Sequence, residues 1–457
     1  FIHPGGTARS SAMAGAFGAL GADPASVSVN PAGLGLYMTS EISLTPAVEV
    51  NDASARYYDG SAANTASRLH FSNMALVLTV PAGRESQWRS GTFGVIYDRL
   101  SSNNWARQAV ADNANSTIAT AFANEANGTE AAEIFDAYPF TSGLAWETFL
   151  LDTGATSNEY FGAIPANGLT GQEHTINSSG ATTTTSFFYA ANYDDRIYFG
   201  GAIGVVGTRL ERTTTHRETT ADENLGLESL TYREDLLTRG SGVDIKIGVI
   251  GRFAERLRLG LSFHSPIWTS LNDAFTTTMS TEFRDGTSYQ FGSPDGAFQY
   301  RINTPMSWVA SAAYVIGRHG AVNVDYEMKD YRMVRIRTSD PLVDVYDFSH
   351  ENAVIRDRAS LSHSLRVGTE WRTGPWYFRG GFGIWPDPYA RDDARHGLPL
   401  TRYGLGAGLR NQHWSFDLGF TYDQRSSYYF QYDPALVEPV SETLIAYKIL
   451  ATVAWRP

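Results

Sequence analysis

The sequence predicts an all-β fold, a transmembrane antiparallel β-barrel of about 14 strands with an N-terminal hatch in its lumen. Three observations predict it. Polar and apolar residues alternate through long segments, and short and long connections alternate between those segments. No window of the 457 residues approaches the apolar run that a transmembrane helix needs. The composition agrees, because only 18% of the residues are charged whereas 13% are aromatic.

Charge and residue content exclude several functions. The 36 basic and 48 acidic residues leave a net charge of −12 with no basic cluster, which argues against nucleic acid as a partner. The absence of cysteine excludes disulfide scaffolds, thiolate metal sites and a cysteine nucleophile. The ten histidines lie at no metal-binding or hydrolase spacing, and no Gly-x-Ser-x-Gly motif occurs. We therefore expect no enzyme activity, no catalytic residue, no metal and no cofactor.

The first element, residues 1–37, is expected to be a folded hatch rather than a strand. It is rich in Gly, Ala and Ser, and it contains the turn-forming pairs Asp23-Pro24 and Asn30-Pro31. A short helix is predicted around residues 10–20, with Met13 and Phe17 on one face. A disordered leader is the alternative. Because the chain starts at Phe1 without Met, we expect a mature product whose signal peptide has been removed, or a truncated one.

Residues 38–457 are expected to form the barrel. Leu257, Leu259 and Leu261, for example, alternate with Arg258 and Gly260, as strands with one lipid face and one lumen face do. A soluble sandwich also alternates, but its strands average about 5–6 residues, shorter than these. The predicted segments are 38–50, 68–80, 90–101, 184–193, 195–211, 237–253, 255–270, 303–316, 319–332, 361–372, 375–385, 400–411, 413–424 and 442–456.

The connections give independent support for a membrane barrel. Tight turns are predicted at 194–195, 254–255, 317–320, 373–374 and 411–412, and long polar loops lie between them. Short turns at one end and long loops at the other are typical of outer-membrane barrels. The longest loop, 102–183, is expected to be extracellular and to contain helices at 116–126 and 130–138, the second capped by Thr129.

The hatch carries a family resemblance. The small-residue run from Gly6 to Phe17, then Asp23-Pro24, then Asn30-Pro31-Ala32-Gly33, resembles the N-terminal hatch of FadL/TodX-type outer-membrane transport proteins. The resemblance implies a fourteen-stranded barrel in the bacterial outer membrane that takes up hydrophobic, fatty-acid-like molecules passively. It further implies an extracellular capture groove, passage by the hatch, and lateral release at a kink in the third strand, for which Gly91 and Gly94 are candidates.

Two groups of apolar residues are candidate ligand contacts. Phe1, Ile2, Met13 and Phe17 are candidates for an inner pocket beside the hatch. The groove candidates all lie in the long loop, and an alternative is that they form that loop's own core. They are Trp105, Phe122, Phe135, Tyr138, Phe140, Trp146 and Phe149.

Polar candidates lie in the hatch and on the barrel wall. Asn30 is expected to form the turn that fixes the hatch rather than to bind ligand. Five arginines are predicted to face the lumen, where they either meet a fatty-acid carboxylate or are neutralised by wall acids. They are Arg256, Arg258, Arg366, Arg402 and Arg410, and the acids are Asp244, Glu327, Glu370, Asp417 and Asp423.

The predicted function is a passive outer-membrane channel for hydrophobic small molecules. Its expected partners are outer-membrane lipids and the ligand itself. The alternative is a scaffold similar to PorV of the type IX secretion system, which docks protein partners at the extracellular loops. The hatch motif does not discriminate between them, because the PorV-like proteins share it.

Overall fold

The chain forms a closed antiparallel β-barrel of fourteen strands, as the sequence predicts. The structure is a computed structural model that describes residues 6–83, 85–154, 156, 158–339 and 346–457. The wall closes where the first strand pairs with the last, from Ile42 opposite Trp455 to Arg56 opposite Ser441. Among the described residues, none of the helices combines the length and the apolar character needed to cross a bilayer.

The elements follow in chain order. The helices are α1 (Ala8–Ala12), α2 (Ser26–Val29), α3 (Ile118–Ala126), α4 (Ile134–Ala137), α5 (Ser142–Glu147) and α6 (Ser349–Arg358), with 3₁₀ turns at Pro31–Leu36 and Tyr331–Met333. The strands are β1 (Glu41–Tyr57), β2 (Gly60–Pro81), β3 (Trp88–Ser102), β4 (Trp105–Ala114), β5 (Leu151–Thr153), β6 (Tyr160–Gly162), β7 (Thr170–Tyr193), β8 (Ile197–Thr220), β9 (Leu227–Arg252), β10 (Leu257–His264), β11 (Trp268–Phe283), β12 (Ser288–Gly292), β13 (Gly296–Asn303), β14 (Ser307–Ile316), β15 (Gly320–Asp330), β16 (Arg335–Thr338), β17 (Leu361–Thr373), β18 (Trp376–Trp385), β19 (Leu400–Arg410), β20 (Trp414–Tyr429) and β21 (Val440–Trp455).

Four of the fourteen barrel strands are built from two pieces. Barrel strand three is β3 continued by β4, since both pair with β7. Barrel strands seven, eight and nine are β10 with β11, β13 with β14, and β15 with β16. The pieces β5 and β6 form a separate ribbon, and β12 is a short strand added to β11.

The alternation of faces predicted from the sequence is present in the wall. Leu257, Leu259 and Leu261 are exposed on the outside, whereas Ser262 on the same strand is buried against the hatch. Exposed tryptophans mark the ends of this apolar band, as an interfacial girdle does. They are Trp88, Trp268, Trp308, Trp371, Trp376, Trp414 and Trp455.

Several strands extend beyond their predicted ends. Residues 51–67, predicted as a loop, are the end of β1 and the start of β2, which turn at Tyr58 and Asp59. The predicted loops 212–236 and 271–302 likewise contain parts of β8, β9, β11 and β13. Beyond the membrane a strand needs no lipid face, so its sequence loses the apolar alternation on which the prediction depended.

The predicted loop 102–183 contains strands as well as helices. It includes β4 and the first part of β7, which pair with each other. Thr117 caps α3 by accepting a hydrogen bond from the Ala119 N–H at 3.2 Å. The second predicted helix is only α4, with Glu133 rather than Thr129 at its N-terminus, and α5 was not predicted.

Three neighbouring barrel strands are interrupted, two of them inside predicted segments and the third where its predicted segment 319–332 ends. The ladder between strands seven and eight ends at His264 opposite Ser307 and resumes at Trp268 opposite Asn303. Pro266 and Pro305 lie in the two gaps, and proline has no N–H to donate to a ladder. Strand nine leaves the ladder at the Tyr331–Met333 turn.

The hatch lies inside the barrel and is almost completely buried. Its first helix, α1, is shorter than the predicted helix at 10–20, because the chain turns at Ala14 and Gly15, which have φ angles of 53° and 75°. Met13, Phe17 and Leu20 nevertheless share one apolar cluster with Ala313 and Ala321 of the wall. The spacing therefore predicted the buried side chains correctly but not the backbone that presents them.

Candidate functional site

Asn30 fixes the path of the hatch, as its position before a proline predicts. Its Oδ1 accepts a hydrogen bond from the Ala32 N–H at 3.1 Å and so caps the 3₁₀ turn that begins at Pro31. Its Nδ2 donates to the carbonyl oxygens of Gly18 at 2.9 Å and of Val249 in β9 at 3.3 Å. One buried side chain thus joins two parts of the hatch to the wall.

Charged groups attach the hatch to the opposite side of the barrel. Arg9 forms a two-point ion pair with Glu370 of β17 at 2.8 and 2.9 Å, and its Nη1 donates to the carbonyl of Ala22. Asp325 of β15 accepts hydrogen bonds from the backbone N–H groups of Phe17 at 2.8 Å and Gly18 at 3.1 Å. Both contacts are buried, where an unpaired charge or N–H group is costly.

Glycines of the wall bring the hatch backbone into direct contact with the barrel. A Cβ on Gly381 would lie 2.2 Å from the carbonyl carbon of Met13, and one on Gly248 would lie 2.0 Å from Asn30 Oδ1. We call the set of wall glycines whose absent Cβ would overlap the hatch the glycine face. Its members are Gly200, Gly248, Gly260, Gly368, Gly381, Gly404, Gly406 and Gly419. The sequence pattern suggested a polar lumen, whereas these positions are filled by peptide.

Barrel strand three bends out of its ladder with strand two. The β2–β3 ladder ends at Asn73 opposite Asp98, and above that point β3 pairs only with β7 among the described pairings. An extra residue, Leu100, bulges out of the β3–β7 register. The strand then breaks at 103–104 and continues as β4. The bend expected at Gly91 or Gly94 is therefore at 99–104, because both glycines lie in an unbroken ladder.

A cavity of about 420 Å³ lies beside this bend, above the hatch. Six cationic side chains and two carboxylates, Glu49 and Asp423, line it. The cations are Arg99, Arg107, Arg212, Arg402, Arg425 and Lys448. Arg99 donates from Nη2 to the Gly180 carbonyl at 3.2 Å, but its buried Nε has no hydrogen-bond partner within the described part of the chain. We call this space the cationic cavity.

The five arginines that were predicted to face the lumen differ in their partners and in their exposure. Most are paired with the acids proposed to neutralise them: Arg402 with Asp423 at 2.6 Å, Arg366 with Glu327 at 3.3 Å, and Arg410 with Asp417 at 3.9 Å. Arg258 donates instead to the Leu20 carbonyl at 2.9 Å. Arg256 is exposed in the turn before β10 rather than in the lumen, because the alternation begins one residue later than predicted. Of the five, Arg402 lines the cationic cavity.

The predicted inner-pocket residues do not line this cavity. Met13 and Phe17 are fully buried in the contact between hatch and wall, where Phe17 also lies 4.8 Å from the Arg9 guanidinium. Phe1 and Ile2 lie outside the described residues. Sequence spacing identified Met13 and Phe17 as a face but could not show that the wall already covers it.

The predicted groove residues divide into three groups. Trp105 lines the cationic cavity. Phe122 is buried in a cluster built from α3, α4 and α5, and Phe135 and Trp146 pack against it. Phe149 is 59% exposed, and Tyr138 and Phe140 are half-buried. Three of the seven side chains therefore belong to the loop's own core, and the other four do not.

Sequence reasoning missed a buried polar cluster that holds α3 on the barrel. Glu218 of β8 accepts hydrogen bonds from the Ile118 N–H at 2.8 Å, from Thr117 Oγ1 at 2.5 Å and from His216 at 2.9 Å. The ring of His216 lies 3.4 Å from that of His174 through their Nδ1 atoms. Burial, followed by the neighbouring His216, lowers the pKa of His174 to about 3. The alternating polar residues of the two paired strands that carry these histidines, β7 and β8, were the signal in the sequence that could have indicated this cluster.

Comparisons with known proteins agree on the fold. No protein-family model matches the sequence, and no curated protein is significantly similar to it. Solved structures do match over nearly the whole chain. A Pseudomonas aeruginosa FadL homologue has a TM-score of 0.59 at 12% identity, covering 100% of this chain and 99% of its own.

Two toluene transporters match equally well. TodX of Pseudomonas putida has a TM-score of 0.58 at 11% identity and 99% coverage of both chains. TbuX of Ralstonia pickettii has a TM-score of 0.55 at 13% identity, covering 99% of this chain and 98% of its own. At sequence identities this low, the similarity shows a shared fold and nothing more. With its hatch, its bent third strand and its fourteen-strand closure, this chain has the fold of the FadL/TodX-type outer-membrane barrels.

Proposed function

We propose that this chain is an outer-membrane channel for the passive uptake of hydrophobic small molecules with an acidic head group, such as fatty acids. The cationic cavity is the observation that carries the proposal. The barrel fold and the transporters that share it support the hydrophobic class of ligand. The excess of cations, six against two carboxylates, favours an anionic head over an uncharged hydrocarbon.

The geometry around Arg99 supports this choice. Arg402 is already bound to Asp423, and Arg107 lies 3.3 Å from Glu442. Arg99 instead has a buried Nε with no described partner, beside the bend of strand three. A ligand carboxylate would satisfy this group, and a hydrogen bond to a charged partner is worth about 1.5–3 kcal/mol. Uptake then requires capture from outside, binding at this cavity and release past the hatch.

The test is uptake of radiolabelled oleate by Gram-negative cells that lack their own fatty-acid channel. The chain should raise uptake well above that of cells without it. Arg99→Gln should raise the oleate concentration needed for half-maximal uptake by roughly tenfold, which corresponds to about 1.4 kcal/mol. The matched control Arg209→Gln, an exposed arginine of β8, should leave it unchanged. Uptake no faster than in cells without the chain would refute the proposal.

Docking of a protein partner is a second candidate, favoured by one exposed patch. Phe149, Tyr289 and Phe291 are 59%, 39% and 38% exposed at the long-loop end of the barrel. The rings of Phe149 and Tyr289 lie 4.6 Å apart, and Phe149 has a φ of 57° that non-glycine residues rarely adopt. Exposed aromatic residues are enriched at protein interfaces.

This candidate is tested by replacing the patch. Phe149→Ser combined with Tyr289→Ser should abolish stoichiometric co-purification of a partner from native membranes while leaving oleate uptake intact. Phe253→Ser, at the opposite end of the barrel, serves as control. Loss of oleate uptake without loss of a partner would assign the patch to ligand capture instead.

A further inference from the structure

A second cavity lies inside the barrel, on the other side of strand three's bulge. Its volume is about 280 Å³, and it is bounded by Ser28 and Val29 of the hatch. Much of the remaining wall comes from the interrupted strands seven, eight and nine, including Ile267, Pro305 and Val334, and the rest from residues of β3, β9 and β17. We call it the apolar cavity.

The interruptions account for this space. Between the two ladders that flank the gap, strand eight has the three residues 304–306. Strand nine has the five residues 330–334 over the same stretch, two more than strand eight. Between strands seven and eight, the Thr304 N–H donates to the Ile267 carbonyl at 3.1 Å, and the Ile267 N–H donates to the side-chain Oγ1 of Thr304 at 2.9 Å.

The charged groups of the apolar cavity are already neutralised by one another. Lys246 lies 2.7 Å from Asp244, and Lys329 lies 3.0 Å from Glu327. His264 is bound at 3.0 Å to the carbonyl of Val29. Arg366, the third cation of the lining, lies 3.3 Å from Glu327 and 3.8 Å from Asp325, so each of these cations has a carboxylate partner. The isoleucines, proline and valines of the lining offer a surface for an aliphatic chain.

Leu100 is the residue that the two cavities share. It is the bulged residue of β3 and has no partner in the β3–β7 register, whereas Arg99 and Ser101 on either side are paired. Its side chain is only 7% exposed. A bulge re-aims a side chain without breaking the strand. Here it places an apolar side chain between a cationic space and an apolar one.

We propose that the two cavities form one divided site, with Leu100 as the partition. The head group of an amphiphile binds in the cationic cavity, and its aliphatic chain passes Leu100 into the apolar cavity. Each cavity alone is at or below the lower part of the roughly 300–1,000 Å³ range of small-molecule sites, and the joined space lies well within it. This inference rests on the proposed function and adds the orientation of the ligand to it.

The experiment maps the two ends of a bound fatty acid by photocrosslinking. The purified full-length barrel is illuminated with two palmitate probes, one with a diazirine at the chain terminus and one with a diazirine next to the carboxylate. We expect the terminal probe to label peptides that contain Ile267, Ile302 or Val309, and the carboxylate-side probe to label those that contain Arg99 or Leu444. Leu100→Trp should reduce labelling by the terminal probe at the apolar cavity about tenfold and leave the head-group labelling in place.

The control and the contrary outcomes are distinct. Leu78→Trp adds the same bulk on the lipid-facing side of β2, where it lines neither cavity, and should label like the unmodified chain. Labelling of the cationic cavity by both probes, or terminal labelling that Leu100→Trp leaves as in Leu78→Trp, overturns the divided site while the proposed function stands. Absence of labelling together with absence of oleate uptake refutes the proposed function itself.

Discussion

Replacing Asn30 by Ala should loosen the hatch without unfolding the barrel. The substitution removes three hydrogen bonds, at 2.9, 3.1 and 3.3 Å, and leaves the buried Ala32 N–H without its partner. An orphaned buried donor costs about 1–3 kcal/mol, and a lost neutral hydrogen bond about 0.5–1.5 kcal/mol. Because the 3.3 Å bond is long, we expect a total of about 2–4 kcal/mol. The equilibrium for opening of the hatch should then rise by roughly 30-fold or more.

A thiol in the hatch measures this opening. The chain has no cysteine, so Ser26→Cys gives a single reactive group that is 1% exposed and whose native hydroxyl has no described hydrogen-bond partner. A membrane-impermeant maleimide should modify it slowly, at a rate that follows the opening equilibrium. Asn30→Ala should speed the reaction by roughly 30-fold or more, which is the effect of about 2 kcal/mol or more.

The matched control is Asn272→Ala, which removes an exposed asparagine of β11. It should leave the maleimide rate unchanged. If Asn30→Ala also leaves the rate unchanged, or if both variants speed it equally, the hatch is not held by Asn30 and the energetic argument fails.

Two further predictions concern the hatch and the long loop. Gly248→Ala places a Cβ 2.0 Å from Asn30 Oδ1, so it should displace the hatch and raise ion conductance in planar bilayers above that of the unmodified chain; equal conductance would contradict this. His174 has a pKa lowered to about 3, so the unfolded loop binds its proton more readily. The stability that this group contributes is therefore complete above about pH 6.5 and falls below it by up to about 1.4 kcal/mol per pH unit. Proteolysis of residues 116–165 should accelerate on acidification, and His174→Gln should remove most of that dependence.

The barrel could be predicted from the sequence because its lipid face follows a simple rule. Alternation from Leu257 to Leu261 depends only on which side of a strand meets lipid, and the structure preserves it. The polar ends of β8 and β9 obey no such rule, so the predicted loops there were too long. Pro266 and Pro305 are signals for the gaps, since proline is rare inside sheets, but the alternation of the surrounding residues predicts continuous strands there.

The site was harder to predict because it depends on contacts between distant segments. Arg99 and Leu100 follow one another in the sequence, but the first faces the cationic cavity alone and the second faces both cavities because of a bulge. A single sequence does not show which residue of a strand will be the extra one. Asn30, by contrast, was identified correctly as a turn-former because its neighbour Pro31 restricts the local backbone.

The glycine face has a consequence for how the two parts of the chain can vary. Five of its eight members meet backbone atoms of the hatch first, such as the carbonyl oxygens of Ala8, Ala12 and Gly18. A side chain of the hatch can therefore be replaced without contacting these glycines. A shift in the path of the hatch backbone, by contrast, brings it into contact with them. In a saturation-mutagenesis experiment, the wall glycines should tolerate fewer substitutions than the hatch residues they contact. Exchanging hatches between barrels of this fold should then succeed or fail according to backbone path, not sequence identity.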